Sequence, residues 1–477
     1  MSVIGVAVAV SAVVMLVGEL AEAAAGPLRV HPENSRYFAD GSGRAVYLAG
    51  SHTWWNLQDR GEEIAPPFDY TDFLDALANY NHNFFRLWVW EQSAWVNWAA
   101  PEEGFRFSPL PYVRSGPGKA LDGGPKFDLS RTNEEYFHRL RTRVEEAGRR
   151  GFYVAVMLFE GFSIEMKGRP KTNGNPWEGH PFNRGNNANG IDGDPEGTGE
   201  GLAVHSLKLP EITALQQAYV RKVIDTVNDL DNVLYEISNE SHAGSTEWQY
   251  SMIDYIHDYE TGKAKQHPVL MTVQYPEGSN DVLFSSPAEA ISPNPGPKGL
   301  YRQDPPAADG SKVIITDTDH LWGIGGSVEW VWKSFTRGLN PVFMDPWEPR
   351  PLRDQHWDEA AESLDAEGIR LALGHTRRYA QRMNLAATAP HPELASTSYC
   401  LANPGVEYLV YQPSSGTSFT VNLPEGTYDY EWFSPGSGAA EATGSITAAG
   451  GDSSFSAPFS GHAVLYLKVA EETCPAS

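Results

Sequence analysis

Between Leu28 and about Leu385 the chain alternates short apolar runs with amphipathic segments of helical period, and that alternation leaves few folds open. The runs are Ala45–Trp55, Asn83–Glu91, Phe152–Gly161, Asn232–Glu240, Pro268–Pro276, Glu289–Pro295, Lys312–His320 and Asn340–Trp347. Helices are expected between them over Tyr70–Tyr80, Asn133–Arg150, Pro210–Asp229, Ser245–Gly262, Val328–Gly338 and Glu359–Met383. Eight such units predict an α/β fold, a parallel sheet closed into a (β/α)8 TIM barrel over residues 28–390. After Leu394 the helical period stops, and short alternating strands broken by Gly, Ser and Pro predict a small antiparallel β-sandwich over residues 391–472. Residues 183–201, rich in Gly and Asn, read as a long loop between the third and fourth strands.

The first 25 residues carry an apolar stretch, Val3–Gly18, followed by small residues offering an A-x-A cleavage site, which reads as a secretory signal peptide. The expected location is therefore secreted or periplasmic, with an uncleaved membrane anchor as the alternative. Two cysteines, Cys400 and Cys474, allow one disulfide or two independent thiols. Lys and Arg total 36 against 61 Asp and Glu, a net charge of −25 that repels polyanions and argues against nucleic acid as a partner. Fourteen Trp, many of them near strand ends, offer flat apolar faces of the kind a sugar ring covers, so the expected partner is carbohydrate.

In a barrel the C-terminal strand ends converge on one face, and here each ends in polar or aromatic residues. Asn239-Glu240 closes the fourth run: a carboxylic acid fixed at a strand end beside an amide suits a general acid aimed at a glycosidic oxygen. The second carboxylate that such chemistry requires is supplied by the seventh run, at Asp317 or Asp319, which a continuous strand would point to the same side. Asp319, nearer the mouth, is read as binding substrate or holding Asp317. Arg86 lies among Phe84, Phe85, Leu87 and Trp88, where an unpaired guanidinium would be very costly, so it must meet an anion; a bidentate bond to the catalytic carboxylate is expected. His52, Glu91, Glu160, Asn239, Gln274 and His320 are candidate binders of substrate hydroxyls, and Trp54, Trp55, Trp90 and Trp322 candidate sugar platforms, with Trp88 as readily core.

No metal site is expected, because the histidines and carboxylates lack a ligand spacing such as H-E-x-x-H, and Asp192 and Asp194 lack the closing glutamate of a calcium loop. No phosphate-binding glycine loop and no G-x-S-x-G elbow occurs, so no cofactor is expected.

NVLYEISNE and KVIITDTDH, with Arg86 on the second strand, resemble the clan A glycoside hydrolases, retaining (β/α)8 enzymes with Asn-Glu ending the fourth strand and a carboxylate ending the seventh. The opening HPENSRYFADGSGRAVYLAGSHTWWNLQD, the NHNFFRLWVWE strand and the C-terminal sandwich look more closely like cellulase-like and apiosidase-like proteins with a so-called collagen-binding C-terminal domain. The resemblance implies Glu240 as acid/base and Asp317 as nucleophile, where the clan uses Glu. The function read here is hydrolysis of O-glycosidic bonds in a polysaccharide or its side chains by two carboxylates. The rivals are a non-catalytic carbohydrate-binding barrel and a polysaccharide lyase, which would want a Tyr or Lys base.

Overall fold

A computed structural model describes residues 24–59, 67–97, 100–165, 167, 174–347, 362–413 and 418–470. The signal segment and Cys474 lie outside these residues; Cys400 is a buried thiol. Among the described residues no helix is long and apolar enough to cross a membrane.

Eight parallel strands run in the order that the alternation predicts: β1 Gly50–His52, β2 Phe84–Leu87, β3 Tyr153–Glu160, β4 Val233–Asn239, β5 Val269–Thr272, β6 Ala290–Ser292, β7 Val313–Asp317 and β8 Asn340–Met344. Each pairs with its sequence neighbour from β2 to β8, and β8 returns to β1. The seam between β1 and β2 is closed by a side chain. Asn83 donates its N–H to the Ala49 carbonyl at 3.0 Å, accepts the Ala49 N–H on Oδ1 at 3.0 Å and donates Nδ2 to the Tyr47 carbonyl at 2.9 Å. Gly50 permits the approach, since a Cβ there would collide with the Phe84 carbonyl.

Long helices cover the barrel at Tyr70–Asn79, Glu134–Arg149, Pro210–Val227, Thr246–Glu260, Val328–Thr336 and Ala366–Arg382. The first starts where the Asp69 carboxylate caps the Asp72 N–H, and buries Tyr70, Phe73, Leu74 and Leu77, one face at helical spacing. Inside the barrel, Phe84, Ala155, Leu234, Leu270, Ala290, Ile315 and Val342 belong to one packed apolar layer. Side chains alternate along a strand, so the residues two positions further on line the next layer up: Arg86, Met157, Glu236, Thr272, Ser292, Asp317 and Met344. The interior thus turns from apolar to charged within one layer.

Three local expectations are corrected. The seventh strand does not continue to His320; it ends at Asp317, whose Oδ1 accepts the Asp319 N–H at 2.9 Å and caps a short helix, Thr318–Trp322. Asp319 therefore sits on a helical turn and not on the strand. Two hairpins, Ala94–Asn97 with Ala100–Arg106 and Tyr112–Lys119 with Pro125–Thr132, occupy a stretch for which no elements were expected, because Pro, Gly and charged residues break the alternation there.

Beyond the barrel a six-stranded antiparallel sheet carries Ala389–Pro390, Cys400–Asn403, Glu407–Gln412, Gly426–Ser434, Ala439–Ala448 and Ala463–Val469, and a second sheet pairs Phe419–Leu423 with Gly451–Phe455. One face of the larger sheet, with Tyr408, Val410, Trp432 and Leu465, packs with Phe419, Val421 and Phe455 of the smaller. The alternate face, with Leu409, Tyr411, Phe433 and Tyr466, joins the barrel core. Trp332 stacks on Tyr411 with ring centroids 6.2 Å apart, and Tyr379 donates to Glu431 at 2.7 Å. The sheet is thus a wall of the barrel's own core. Trp332→Ala should cost about 3–5 kcal/mol by emptying this junction, read by denaturant unfolding of the full chain; a loss below about 1 kcal/mol would show that the two parts pack independently.

Candidate active site

Arg86 is fully buried, and its guanidinium is surrounded by acceptors. Nε and Nη2 fork onto Glu236 at 2.9 and 2.6 Å, Nη2 also donates to Asn239 Oδ1 at 2.7 Å, and Nη1 donates to Asp317 Oδ2 at 2.9 Å and Asp319 Oδ2 at 3.4 Å. The bidentate partner is thus Glu236, which sequence reasoning missed, and not a candidate catalytic carboxylate. Its signal was present: in VLYEISN a charged residue stands in the middle of a buried strand, facing the same way as Glu240 would by alternation.

One cation cannot neutralise three carboxylates, and the remaining charge is settled unequally. Asp317 has no exposure and its Oδ2 lies 2.8 Å from His52 Nε2; against the cost of burial, His52 and Arg86 hold its carboxyl well below the usual range. Asp319 is 9% exposed, and burial followed by the Glu240 charge pushes its carboxyl well above that range. Burial likewise raises Glu240, although Lys167 and Arg86 draw it down. Asp319 and Glu240 are thus both pushed toward the protonated form, while Asp317 is held ionised. Beside them Glu160 is wholly buried, and burial pushes it up to about 8. Its Oε1 accepts from Asn239 Nδ2 at 3.3 Å.

The other expected site residues divide. His320 donates Nε2 to Asn239 Oδ1 at 3.0 Å and accepts from Ser292 on Nδ1 at 2.7 Å; burial pushes its pKa down to about 3, so it is neutral. His52 is completely buried against Trp88, and its expected hydroxyl-binding role gives way to holding Asp317. Gln274 turns from the mouth: its amide donates to the Ala243 carbonyl and to the Ser245 and Thr246 hydroxyls, tying a loop. Glu91 is taken up by two histidines absent from the expected set, accepting from His205 at 3.0 Å and His180 at 3.2 Å. Trp55 and Trp90 stack on each other and on Phe107, Trp54 is buried beside Trp88, and Trp88 is core; these indoles wall the site and present no open platform. Trp322 is half-buried, edge-on to Trp330. Tyr275, outside the expected set, is 52% exposed at the end of the β5 segment, 6.0 Å from Lys167. Among the described residues no group of His, Cys, Asp or Glu is placed to hold a metal ion, and Asp194 caps its own loop through Thr198 and Gly199.

Residues 100–286 match a family described as Domain of unknown function (DUF6298). Comparison with curated proteins finds no match. Among solved structures, a glycoside hydrolase family 5 protein from Bacteroides vulgatus ATCC 8482 superposes with a TM-score of 0.61 at 12% identity, over 94% of this chain and 96% of that one. Another, a glycoside hydrolase, gives 0.58 at 12% identity over 93% and 97%. The fold, barrel and appended β-sheets together, is the one found in these glycoside hydrolases.

Glu160 yields a test of this electrostatic layout. Its folded pKa of about 8 exceeds the ordinary 4.5, so the folded chain keeps a proton that the unfolded chain releases, and stability falls as pH rises between those values. Glu160→Gln should flatten the decline in Tm between about pH 5 and about pH 8; an unchanged slope would place that proton elsewhere.

Proposed function

We propose that this chain is an exported glycoside hydrolase acting on a polysaccharide or its side chains, with Glu240 as proton donor and Asp319 as the carboxylate on the opposite side of the bond. The observation that carries the reading is the separation of carboxyls by environment: burial pushes Glu240 and Asp319 up, while, against its own burial, His52 and Arg86 hold Asp317 well down beside them. Arg86 donates to Asp319 at 3.4 Å and supports its ionised form, and the mechanism requires Asp319 ionised and the proton on Glu240 once substrate is bound. Asp317 is the weaker nucleophile despite its strand position. Its Oδ2 is held by Arg86 and His52, its Oδ1 accepts the Asp319 N–H, and the side chain has no exposed surface from which to reach a sugar carbon. In this reading Asp317 sets the Arg86 and Asp319 positions, and Tyr275 and Trp322 supply the aromatic faces for sugar rings.

The reaction follows. Glu240 protonates the leaving oxygen as the glycosidic bond breaks, Asp319 attacks the anomeric carbon, and water activated by Glu240 then releases the sugar with retention. Screening against aryl glycosides and a polysaccharide panel identifies the substrate. Glu240→Gln should lower turnover by about 10²–10⁴-fold on poor leaving groups and far less on activated aryl glycosides. Asp319→Ala should be inactive and partly rescued by azide, whereas Asp317→Ala should be impaired without rescue. Azide rescue of Asp317→Ala alone would exchange the two roles, and full activity in both variants would remove β7 from the mechanism.

A further inference from the structure

Glu240 adopts a left-handed backbone, φ 46°, which a residue with a side chain holds only when its surroundings enforce it. Several contacts do so. Lys167 Nζ donates to the Glu240 carbonyl, Gly161 lies so close that a Cβ would collide with that carbonyl, and Tyr275 donates its N–H to the next carbonyl, Ser241, at 3.1 Å. The Ser241 hydroxyl begins a chain that leads away from the mouth. It lies 2.5 Å from the Ser238 hydroxyl and 3.0 Å from His205 Nδ1; His205 Nε2 lies 3.0 Å from Glu91 Oε1, and His180 Nε2 3.2 Å from Glu91 Oε2. The Glu160 N–H also donates to Glu91 Oε1, at 2.8 Å.

The proton positions in this chain follow from its end. Glu91 is an acceptor only, since His205 and His180 outweigh the cost of its burial and hold it down at about 2. His205 must then carry its proton on Nε2, and burial keeps the ring neutral, so Nδ1 is a lone pair facing Ser241. Ser241 donates to it and receives the Ser238 hydroxyl proton in turn. His180 is set in the same way, because its Nδ1 accepts the Phe182 N–H at 3.0 Å. The His205 ring is clamped flat on Trp248, centroids 4.4 Å apart. Glu91 thereby joins the ends of the β2, β3 and β4 segments through bonds of one defined polarity.

We infer that Glu91, His205 and Ser241 are positioning residues, a relay that holds Glu240 in its left-handed conformation and so aims its carboxyl at the leaving oxygen. This rests on Glu240 being the proton donor. Two substitutions probe it: Ser241→Ala removes the link next to Glu240, and Glu91→Gln keeps the shape but presents an N–H to one histidine. Both should cut hydrolysis of poorly activated glycosides by about 10–100-fold through kcat, because a donor misplaced by about 1 Å loses about that much. KM and the hydrolysis of activated aryl glycosides, which need little acid assistance, should stay within about threefold. Equal losses on both substrate classes, tracking a lowered Tm, would reduce the chain to a structural support and overturn the inference. Nitrogen-15 spectra of the histidines make the test independent of activity. His205 should show a protonated Nε2 and an acceptor Nδ1 unchanged from about pH 5 to about pH 8, and Ser241→Ala should shift Nδ1. A His205 that titrates in that range, or an Nδ1 indifferent to Ser241→Ala, also overturns it. A wild-type protein inactive on every glycoside, with these spectra as expected, would instead sink the hydrolase reading and leave the relay standing.

Discussion

A guanidinium buried without an anion costs far more than a folded chain can spare, and the upper half of this barrel is arranged around that fact. Arg86 rises from β2 into the layer directly above the apolar floor, and its donors reach Glu236 and Asn239 on β4 and Asp317 on β7. A planar fork fixes direction as well as charge, so these three strands are held in register at the level where the mouth begins. Trp88, just past the end of β2, lies with its ring centroid 5.0 Å from the guanidinium and adds a cation–π contact. Removing Arg86 would leave Glu236, Asp317 and Asp319 without the cation they share, which makes the cluster rigid by penalty more than by attraction.

The inequality of the carboxylates follows from that geometry. Glu236 takes the two-pronged bond and forms a closed pair, so it has nothing left to exchange. Asp317 receives the remaining strong donor together with His52. Asp319 receives only a longer contact, and Glu240 has Lys167 on its carbonyl rather than on its carboxyl. The contacts with the guanidinium therefore separate the two aspartates: Asp317 at 2.9 Å is held well below the ordinary carboxylate range, whereas Asp319 at 3.4 Å is pushed well above it. Because the Glu236 fork is independent of Asp319 and Glu240, a proton can come or go on either of them without unpairing Arg86.

The barrel was legible in the sequence because each strand is buried on both faces, and a fully buried strand flanked by amphipathic helices leaves a pattern that needs no knowledge of its partners. All eight strands stand where the apolar runs place them, and Asn239-Glu240 and Asp317 fall at strand ends as the runs imply. What was not legible depends on partners distant in sequence. Glu236 looks like one more residue of an apolar run until Arg86, 150 positions earlier, is set opposite it. Glu91 ends its run as an apparent sugar binder, and only the fold brings His180 and His205 to consume it. Gln274 is lost to a loop that the β4 end supplies. The strand-to-helix switch at Asp317 is hidden because a capping carboxylate and a catalytic one are the same residue type, and only the hydrogen bond to the Asp319 N–H tells them apart.

The tryptophans show how one composition supports two opposite structures. Indoles at strand ends suit a sugar platform, which requires one face left open, or a packed wall, in which both faces are covered. Here Phe105 of the first hairpin and Phe107 just after it cover Trp55, and Phe107 stacks on Trp90 at 5.0 Å, so the β1–β2 side becomes wall. Covering those faces is also what keeps water from the side of the site where Arg86, His52 and Asp317 exchange charge, and in that dry surrounding each of their bonds is worth more. On the other side Tyr275 is exposed and Trp322 half-buried, beyond β5 and β7. The wall and the opening are thus two consequences of one placement: aromatic cover where charge must be held still, and less covered rings on the opposite side of the carboxyls.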